Sequence, residues 1–126
     1  MAKVTGIGGV FFKAKGDAKA LSEWYAKHLG LTLEPWGGAL LKWPHDPAPD
    51  EGGVTVWNLA GPDSQWFDGA FMINYRVDDL RALVSQLERD GVPLAKGPES
   101  HENGLFAWLV DPDGNRVELW QPIAGA

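Results

Sequence analysis

Apolar residues recur at helical spacing in two segments of the chain. In the first, over residues 18–29, they form a stripe of Ala18, Leu21, Trp24, Tyr25, His28 and Leu29. Asp17 precedes this segment and is a suitable N-cap, and Gly30 follows it as a residue that commonly ends helices. The pattern predicts an amphipathic helix over residues 18–29.

A second segment repeats this design with a stripe of Leu80, Leu83, Val84 and Leu87. Asp78 and Asp79 precede the stripe, and Gly91 closes it. Leu83 follows Leu21 by 62 positions and Gly91 follows Gly30 by 61, so the order of cap, stripe and glycine recurs at a nearly constant offset. This favours an internal duplication over the alternative that two capped helices arose independently.

Extended segments surround both predicted helices in the same order. One strand is predicted before each helix, over 9–14 and 72–77. Three strands are predicted after each helix, over 32–36, 39–43 and 54–59 in the first half and 92–95, 105–110 and 116–121 in the second. Each half is therefore βαβββ, and residues 1–126 are predicted to form one α+β domain with modules at about 5–59 and 70–122. Segments rich in Pro, Gly and Asp, 44–53 and 60–69, are predicted to be a surface loop and the linker.

The amino-acid composition of the chain excludes or disfavours several classes of binding partner and of chemistry. The net charge of −6 and the pI near 4.9 disfavour nucleic acids and anionic membranes, which are themselves negatively charged. No apolar run approaches the roughly 20 residues of a membrane span, so the expected location is the cytoplasm. The absence of cysteine excludes disulfides and thiolate chemistry. Seven tryptophans favour a pocket or an interface, because Trp joins a large apolar surface to a polar N–H.

Three segments carry a resemblance to a known superfamily: 24–31, 77–80 and 111–120. The last contains Asp-Pro-Asp-Gly-Asn, a strong signal for a tight turn between strands. Together they resemble the vicinal oxygen chelate superfamily of glyoxalases, bleomycin-resistance proteins and ring-cleaving dioxygenases. The resemblance implies two βαβββ modules that curve as half-barrels around a cavity, a small-molecule ligand and a homodimer.

In metal-dependent members of that superfamily, four cavity-facing strand positions supply His or Glu ligands to a divalent ion. The resemblance places these positions on Gly9 (or Val10, if the frame slips by one), on Trp57 by the 61-residue offset from Glu118, on Met72 and on Glu118. Only Glu118 offers a good ligand for a hard cation, since a thioether is too soft. We therefore expect the usual metal site to be lost and no cofactor to be bound.

Glu118 is the candidate catalytic residue. Strand alternation places Arg116 and Trp120 on its face, as candidate ligand contacts, and turns the intervening residues toward the helix-covered core. A cavity carboxylate can act as a base or accept a hydrogen bond from a ligand. The alternative is a structural carboxylate that pairs with Arg116 or Arg76 and does no chemistry.

Met72, Asn74 and Arg76 share one face of their predicted strand and are further candidate ligand contacts. Asn74 and Arg76 are suited to hold a carboxylate or carbonyl group of a ligand. For Arg76 the alternative is a solvent-exposed position at the strand end.

Trp57 and Trp120 lie on the last predicted strand of each half, with Trp43 and Trp108 on neighbouring strands. They are predicted to form aromatic walls of one pocket, or else to fill the half-barrel or a dimer interface. The predicted cavity is lined by Trp57, Met72, Asn74, Glu118 and Trp120.

The three histidines carry a weak metal signal. His28 lies at a helix end, where it complements the helix dipole, and His45 and His101 lie in predicted loops that are exposed or reach the cavity mouth. Two functions remain open. The favoured one is metal-independent binding of a small, largely apolar or aromatic molecule. The alternative is a metal-dependent lyase, isomerase or dioxygenase that uses Glu118 with rearranged ligands such as His45 or His101.

Overall fold

The computed structural model describes residues 2–42 and 54–123. These residues form seven strands and two helices in the order β1 (Val4–Lys13), α1 (Ala18–Leu29), β2 (Ala39–Lys42), β3 (Val54–Ala60), β4 (Phe71–Val77), α2 (Leu80–Arg89), β5 (Lys96–His101), β6 (Gly104–Val110) and β7 (Arg116–Gln121). Neither helix is long and apolar enough to cross a membrane.

The seven strands form one open mixed sheet in the order β2-β3-β1-β4-β7-β6-β5. β1 and β4 pair antiparallel at its centre. β3 then pairs parallel with β1, and β7 pairs parallel with β4. The strands next to the central pair are therefore equivalent, but the described sheet has three strands on the β1 side and four on the β4 side. The predicted α+β class is confirmed.

The predicted N-caps of both helices, and the glycine predicted to end α1, are confirmed. The Asp17 side chain accepts a hydrogen bond from the Ala20 backbone N–H, and that of Asp79 accepts one from the Ala82 N–H. Gly30 adopts the left-handed conformation directly after α1, with φ 75°. These local signals fix where each helix starts and where α1 ends.

Two predicted strands are wrong within the described residues. Residues 32–36 form no strand, because Pro35 has no backbone N–H to donate and the chain turns there, with the Gly37 N–H donating to the Glu34 carbonyl. Residues 92–95 are also irregular, and the pairing with β6 is made by Lys96–His101 instead. β1 begins at Val4, five residues before the predicted start.

The hairpin between β6 and β7 confirms the turn predicted at residues 111–115. The Asp111 side chain accepts hydrogen bonds from the backbone N–H groups of Asp113 and Asn115. The turn sets a register in which Trp108 lies opposite Glu118, and Phe106 opposite Trp120. A local turn signal therefore places four side chains of one sheet face.

The helices cover the other face of the sheet. α2 packs through Leu80 against Val77, Ala107 and Leu119, all buried. α1 packs through the Tyr25 ring. The predicted stripe of α1 is only partly buried, since the side chains of Trp24 and Leu29 are more than half exposed.

Candidate functional site

The helix-free face of the sheet bounds a cavity of about 540 Å³. Its aromatic lining consists of Phe11, Trp36, Trp66, Phe106, Trp108 and Trp120. The other described lining residues are Gly8, Leu40, Val56, Asn74, His101, Asn103 and Glu118. The lining comes from both halves of the chain, so the cavity lies across the central β1–β4 pair.

A buried carboxylate lies at the floor of this cavity. Glu118 on β7 is 4% exposed, and its register neighbours are Asn74 on β4 and Trp108 on β6. Asn74 Nδ2 donates to Glu118 Oε1 at 2.6 Å, and Trp108 Nε1 donates to Oε2 at 2.8 Å. Each carboxylate oxygen thus accepts one hydrogen bond from a neighbouring strand. These bonds fix the carboxylate in one orientation.

Burial raises the pKa of Glu118 above its ordinary value, because desolvation disfavours the charged form. The hydrogen bonds from Asn74 and Trp108 oppose this effect, and the positive charge of Arg116 opposes it further. The Asn74 amide can serve both protonation states, since its Nδ2 donates to a carboxylate and, after a half-turn, its oxygen accepts from a carboxylic acid. Asn74 can therefore hydrogen-bond to Glu118 whether the Glu118 side chain is ionised or protonated.

The raised pKa predicts a pH-dependent stability. Between the ordinary pKa of 4.5 and the higher pKa in the folded protein, the folded state binds more protons than the unfolded chain. The contribution of Glu118 to the free energy of unfolding therefore falls as pH rises through this window. Glu118→Gln removes this pH dependence, because glutamine does not titrate. Urea denaturation of both proteins from pH 4.5 to neutrality should show the variant gaining on the wild type as pH rises. A difference that stays constant with pH would contradict the raised pKa.

Three rings form an aromatic row beside the carboxylate. The Phe106 ring is nearly parallel to that of Trp108, with centroids 6.1 Å apart, and to that of Trp120, with centroids 6.2 Å apart. Trp120 Nε1 donates to the Asn103 carbonyl at 2.8 Å, which fixes one end of the row. Lys96 Nζ lies over the Trp108 ring. The row is thus a preformed wall of fixed rings.

Gly8 makes room for this floor. The register between β1 and β4 shifts between Ile7 and Gly9, so Gly8 occupies a bulge. A Cβ atom at Gly8 would overlap Asn74 Oδ1 and come within 2.9 Å of the Trp120 ring. Asn74 Oδ1 itself is buried and has no hydrogen-bond partner. The absence of a side chain at this position is what allows Asn74 and Trp120 to pack on the floor.

His101 lies at the cavity edge, at the end of β5 and not in a loop as predicted. Its Nε2 is 2.9 Å from Glu99 Oε1, and its ring packs edge-on against Phe106. His28 lies elsewhere, against Trp24 on α1. His45 and Trp43 fall outside the described residues.

The prediction that Trp57 lines the same cavity as Glu118 is wrong. Its ring packs against Phe12 and Tyr25 on the α1 side of the sheet. Val56 lines the cavity in its place, because Val56 pairs with Gly9 as Glu118 pairs with Asn74. The 61-residue offset from the helix-ending glycines selected the wrong face. The 62-residue offset of the helix stripe would have selected Val56.

Met72 is a core residue and is not among the described cavity-lining residues. It is fully buried in a cluster with Phe11, Phe67 and Trp108, and also with Ala60. It shares the face of Asn74 as predicted, but pairs with Phe11 where that face is covered by packed side chains. On this strand the residue beside Glu118 is therefore Asn74, its register partner, and not Met72, to which the resemblance assigned the metal-ligand position.

The two predicted arginines border the floor and are not among the described lining residues. The Arg76 guanidinium lies 5.8 Å from the centroid of the Trp120 ring. Arg116 acts on Glu118 through its charge, and its Nε is buried without a hydrogen-bond partner. Their assignment as ligand contacts stays a prediction.

Sequence reasoning missed several lining residues. Phe106 alternates with Trp108 on β6 and was accessible to the same argument that located Trp120. Trp36, Trp66 and Asn103 lie outside the strands. Alternation says nothing about such residues, because the path of a loop is set by tertiary contacts.

The floor does not fit the divalent-ion site of the metal-dependent proteins that the sequence resembles. In the observed register the four positions are Gly9, Val56, Asn74 and Glu118, of which two have no ligating side-chain atom. Both Glu118 oxygens already accept N–H donors, and an indole N–H directed at the carboxylate opposes a cation there. Across residues 2–42 and 54–123, no group of three or more His, Cys, Asp or Glu side chains is placed to hold a metal ion.

The profile of the Glyoxalase/Bleomycin resistance protein/Dioxygenase superfamily matches residues 11–119. The chain therefore belongs to this superfamily, and the resemblance seen in the sequence is confirmed. An uncharacterised protein of Mycolicibacterium smegmatis is 28% identical over 95 residues, which are 75% of this chain and 77% of that protein.

Solved structures show the same fold. Methylmalonyl-CoA epimerase from Mycobacterium tuberculosis is 22% identical, with a TM-score of 0.66 over 95% of this chain and 89% of that one. The Q60A variant of the Streptomyces coelicolor methylmalonyl-CoA epimerase, in complex with 2-nitronate-propionyl-CoA, is 19% identical, with a TM-score of 0.69 over 97% of this chain and 100% of that one. At these identities the similarity establishes a shared fold.

Proposed function

We propose that this protein binds a small, flat and largely apolar molecule in the cavity between its two halves, without the divalent ion used by many superfamily members. The observation that carries the proposal is the lining: among the described residues, six aromatic side chains and one buried carboxylate border the same cavity of about 540 Å³. Small-molecule sites are typically about 300–1,000 Å³, mostly apolar, with few polar groups that fix orientation.

The aromatic row supports a flat ligand. Its three rings are held nearly parallel by one another and by the bond from Trp120 to the Asn103 carbonyl. A planar molecule can lay one face against these fixed rings, and the protein loses little side-chain entropy because the rings are already held in place. Trp36 and Trp66 extend the apolar lining toward the cavity mouth, where both are partly exposed.

The solved relatives support a small-molecule function for the fold, since one of them holds a CoA derivative. The metal-free part of the proposal rests on the donor set of this chain. The metal-dependent alternative uses Glu118 with rearranged ligands such as His45 or His101. His101 Nε2 is in contact with Glu99, and His45 lies outside the described residues. A homodimer and a cytoplasmic location stay expectations, and the net charge of −6 supports a partner other than nucleic acid.

Two tryptophans of nearly equal exposure provide a matched test. Trp36 lines the cavity and is 50% exposed, whereas Trp24 lies on α1 outside it and is 51% exposed. With naphthalene as the probe, Trp36→Ala is expected to weaken binding by about 1 kcal/mol, roughly fivefold, because an aromatic contact is lost. Trp24→Ala should leave the affinity unchanged. Equilibrium dialysis of both variants and the wild type gives the three dissociation constants.

Two results would overturn the proposal. One is that the wild-type protein fails to bind naphthalene at its solubility limit. The other is that Trp24→Ala weakens binding while Trp36→Ala leaves it unchanged, which would place the probe beside α1 and outside the cavity.

A further inference from the structure

The side-chain nitrogens at the deep end of the cavity are already engaged within the protein. Asn74 Nδ2 and Trp108 Nε1 both donate to Glu118, and Trp120 Nε1 donates to the Asn103 carbonyl. Asn74, Trp108 and Trp120 are the lining residues on β4, β6 and β7 that carry a side-chain nitrogen. A ligand that reaches this end meets nitrogens that have already found acceptors.

The acceptors at the same place have capacity to spare. An ionised carboxylate can accept about four hydrogen bonds, and Glu118 accepts two from the protein. Asn74 is 3% exposed, and its Oδ1 is buried with no partner beside the space left by Gly8. Two buried side-chain atoms here have no partner, Asn74 Oδ1 and Arg116 Nε, and Arg116 is not among the described lining residues. Among the described lining residues on β4, β6 and β7, the polar atoms with unmet hydrogen-bonding capacity are therefore the acceptor oxygens of Glu118 and Asn74.

We propose that the ligand is an aromatic molecule bearing an O–H or N–H group, which it donates to Glu118. This deepens the proposed function and rests on it, because it assumes that the cavity binds a flat molecule. The ligand's ring system lies against the aromatic row, and its donor points at the carboxylate. An ether or carbonyl oxygen in the same place would face Glu118 with no proton between the two oxygens, so it is excluded by repulsion and by lost hydration.

A pair of probes isolates the donor. 2-Naphthol and 2-methoxynaphthalene share one ring system and differ in whether the oxygen carries a proton. The methyl group adds apolar surface, so the hydrophobic effect alone favours the ether. We expect 2-naphthol to bind the wild-type protein at least about tenfold more tightly at neutral pH, as a hydrogen bond to a charged group requires. Equilibrium dialysis, with naphthalene as the reference, measures all three affinities.

A third probe tests whether a neutral N–H group also serves as the donor. 2-Naphthylamine is uncharged at neutral pH, so it presents N–H donors without placing a cation beside the Trp108 N–H. It should bind more tightly than 2-methoxynaphthalene, because its N–H group donates to the ionised carboxylate. Weaker binding than that of the ether would contradict the donor rule.

Two controls assign the preference to Glu118. Glu118→Gln substitutes a neutral, weaker acceptor of the same shape and should reduce the preference for 2-naphthol over its ether at least about threefold. In the wild type, lowering the pH through the pKa of Glu118 turns the carboxylate into a hydrogen-bond donor, so the preference should fall without any substitution. The pH titration decides the matter even if the variant does not fold.

The outcomes separate the two proposals. Equal affinity for 2-naphthol and 2-methoxynaphthalene would overturn the donor inference while leaving the proposed function intact. A preference unaffected by both Glu118→Gln and pH would overturn the assignment to Glu118. Failure of all the probes, naphthalene included, would overturn the proposed function itself.

Discussion

Replacement of Met72 by alanine is expected to lower the free energy of unfolding by about 2–5 kcal/mol, because a fully buried side chain is truncated in a packed cluster. Met72 has no exposed surface and packs with Phe11, Phe67 and Trp108. Trp108 donates a hydrogen bond to Glu118, so the void left by the truncation lies next to a residue that orients the carboxylate. Urea denaturation of the variant measures the loss.

Met72→Leu is the matched control. A swap that preserves volume in a core usually costs less than about 1.5 kcal/mol, so this variant should keep most of its stability and its affinity for naphthalene. If Met72→Leu stayed stable but lost the ligand, Met72 would be a direct contact, as the sequence predicted, and its assignment to the core alone would be wrong.

Gly8→Ala is expected to remove binding and to destabilise the fold. The new Cβ would overlap Asn74 Oδ1 and crowd the Trp120 ring, and overpacking of this kind costs about 1–3 kcal/mol. Relief requires Asn74 or Trp120 to move, and Asn74 carries the hydrogen bond to Glu118. Affinity for naphthalene should fall at least about tenfold, equivalent to roughly 1.4 kcal/mol.

Gly6→Ala on the same strand separates this steric effect from the general effect of replacing glycine. A Cβ at Gly6 meets no atom within 4 Å. The stability of the Gly6→Ala variant should therefore equal that of the wild type or be slightly higher, since alanine restricts the unfolded chain more than glycine does. Equal losses in the two variants would show that the space above Gly8 is not what organises the floor.

The parts of the fold that follow from local signals could be predicted from the sequence. The caps at Asp17 and Asp79 and the turn at residues 111–115 depend on side chains that bond to their own neighbouring backbone. Strand 32–36 failed for a reason also visible in the sequence, because Pro35 and the following Gly37-Gly38 favour a turn.

The site could be predicted only in part. Alternation along single strands correctly grouped Glu118 with Trp120 and placed Val117 and Leu119 on the opposite face, toward α2. The counterpart of Glu118 on β3 was found from the duplication offset. An error of one residue in that offset selected Trp57 in place of Val56, and successive residues of a strand point to opposite faces of the sheet. The bulge at Gly8 and the bond from Trp108 to Glu118 depend on pairing registers, which no single segment encodes.

The central claim is that the cavity over Glu118 binds a flat apolar molecule, and a crystal structure with bound naphthalene tests it most directly. We expect the ring within van der Waals distance of Phe106 and Trp120, on the side of the sheet away from the helices. Naphthalene in the groove beside Trp24 at the start of α1, with the cavity over Glu118 unoccupied by it, would contradict the account.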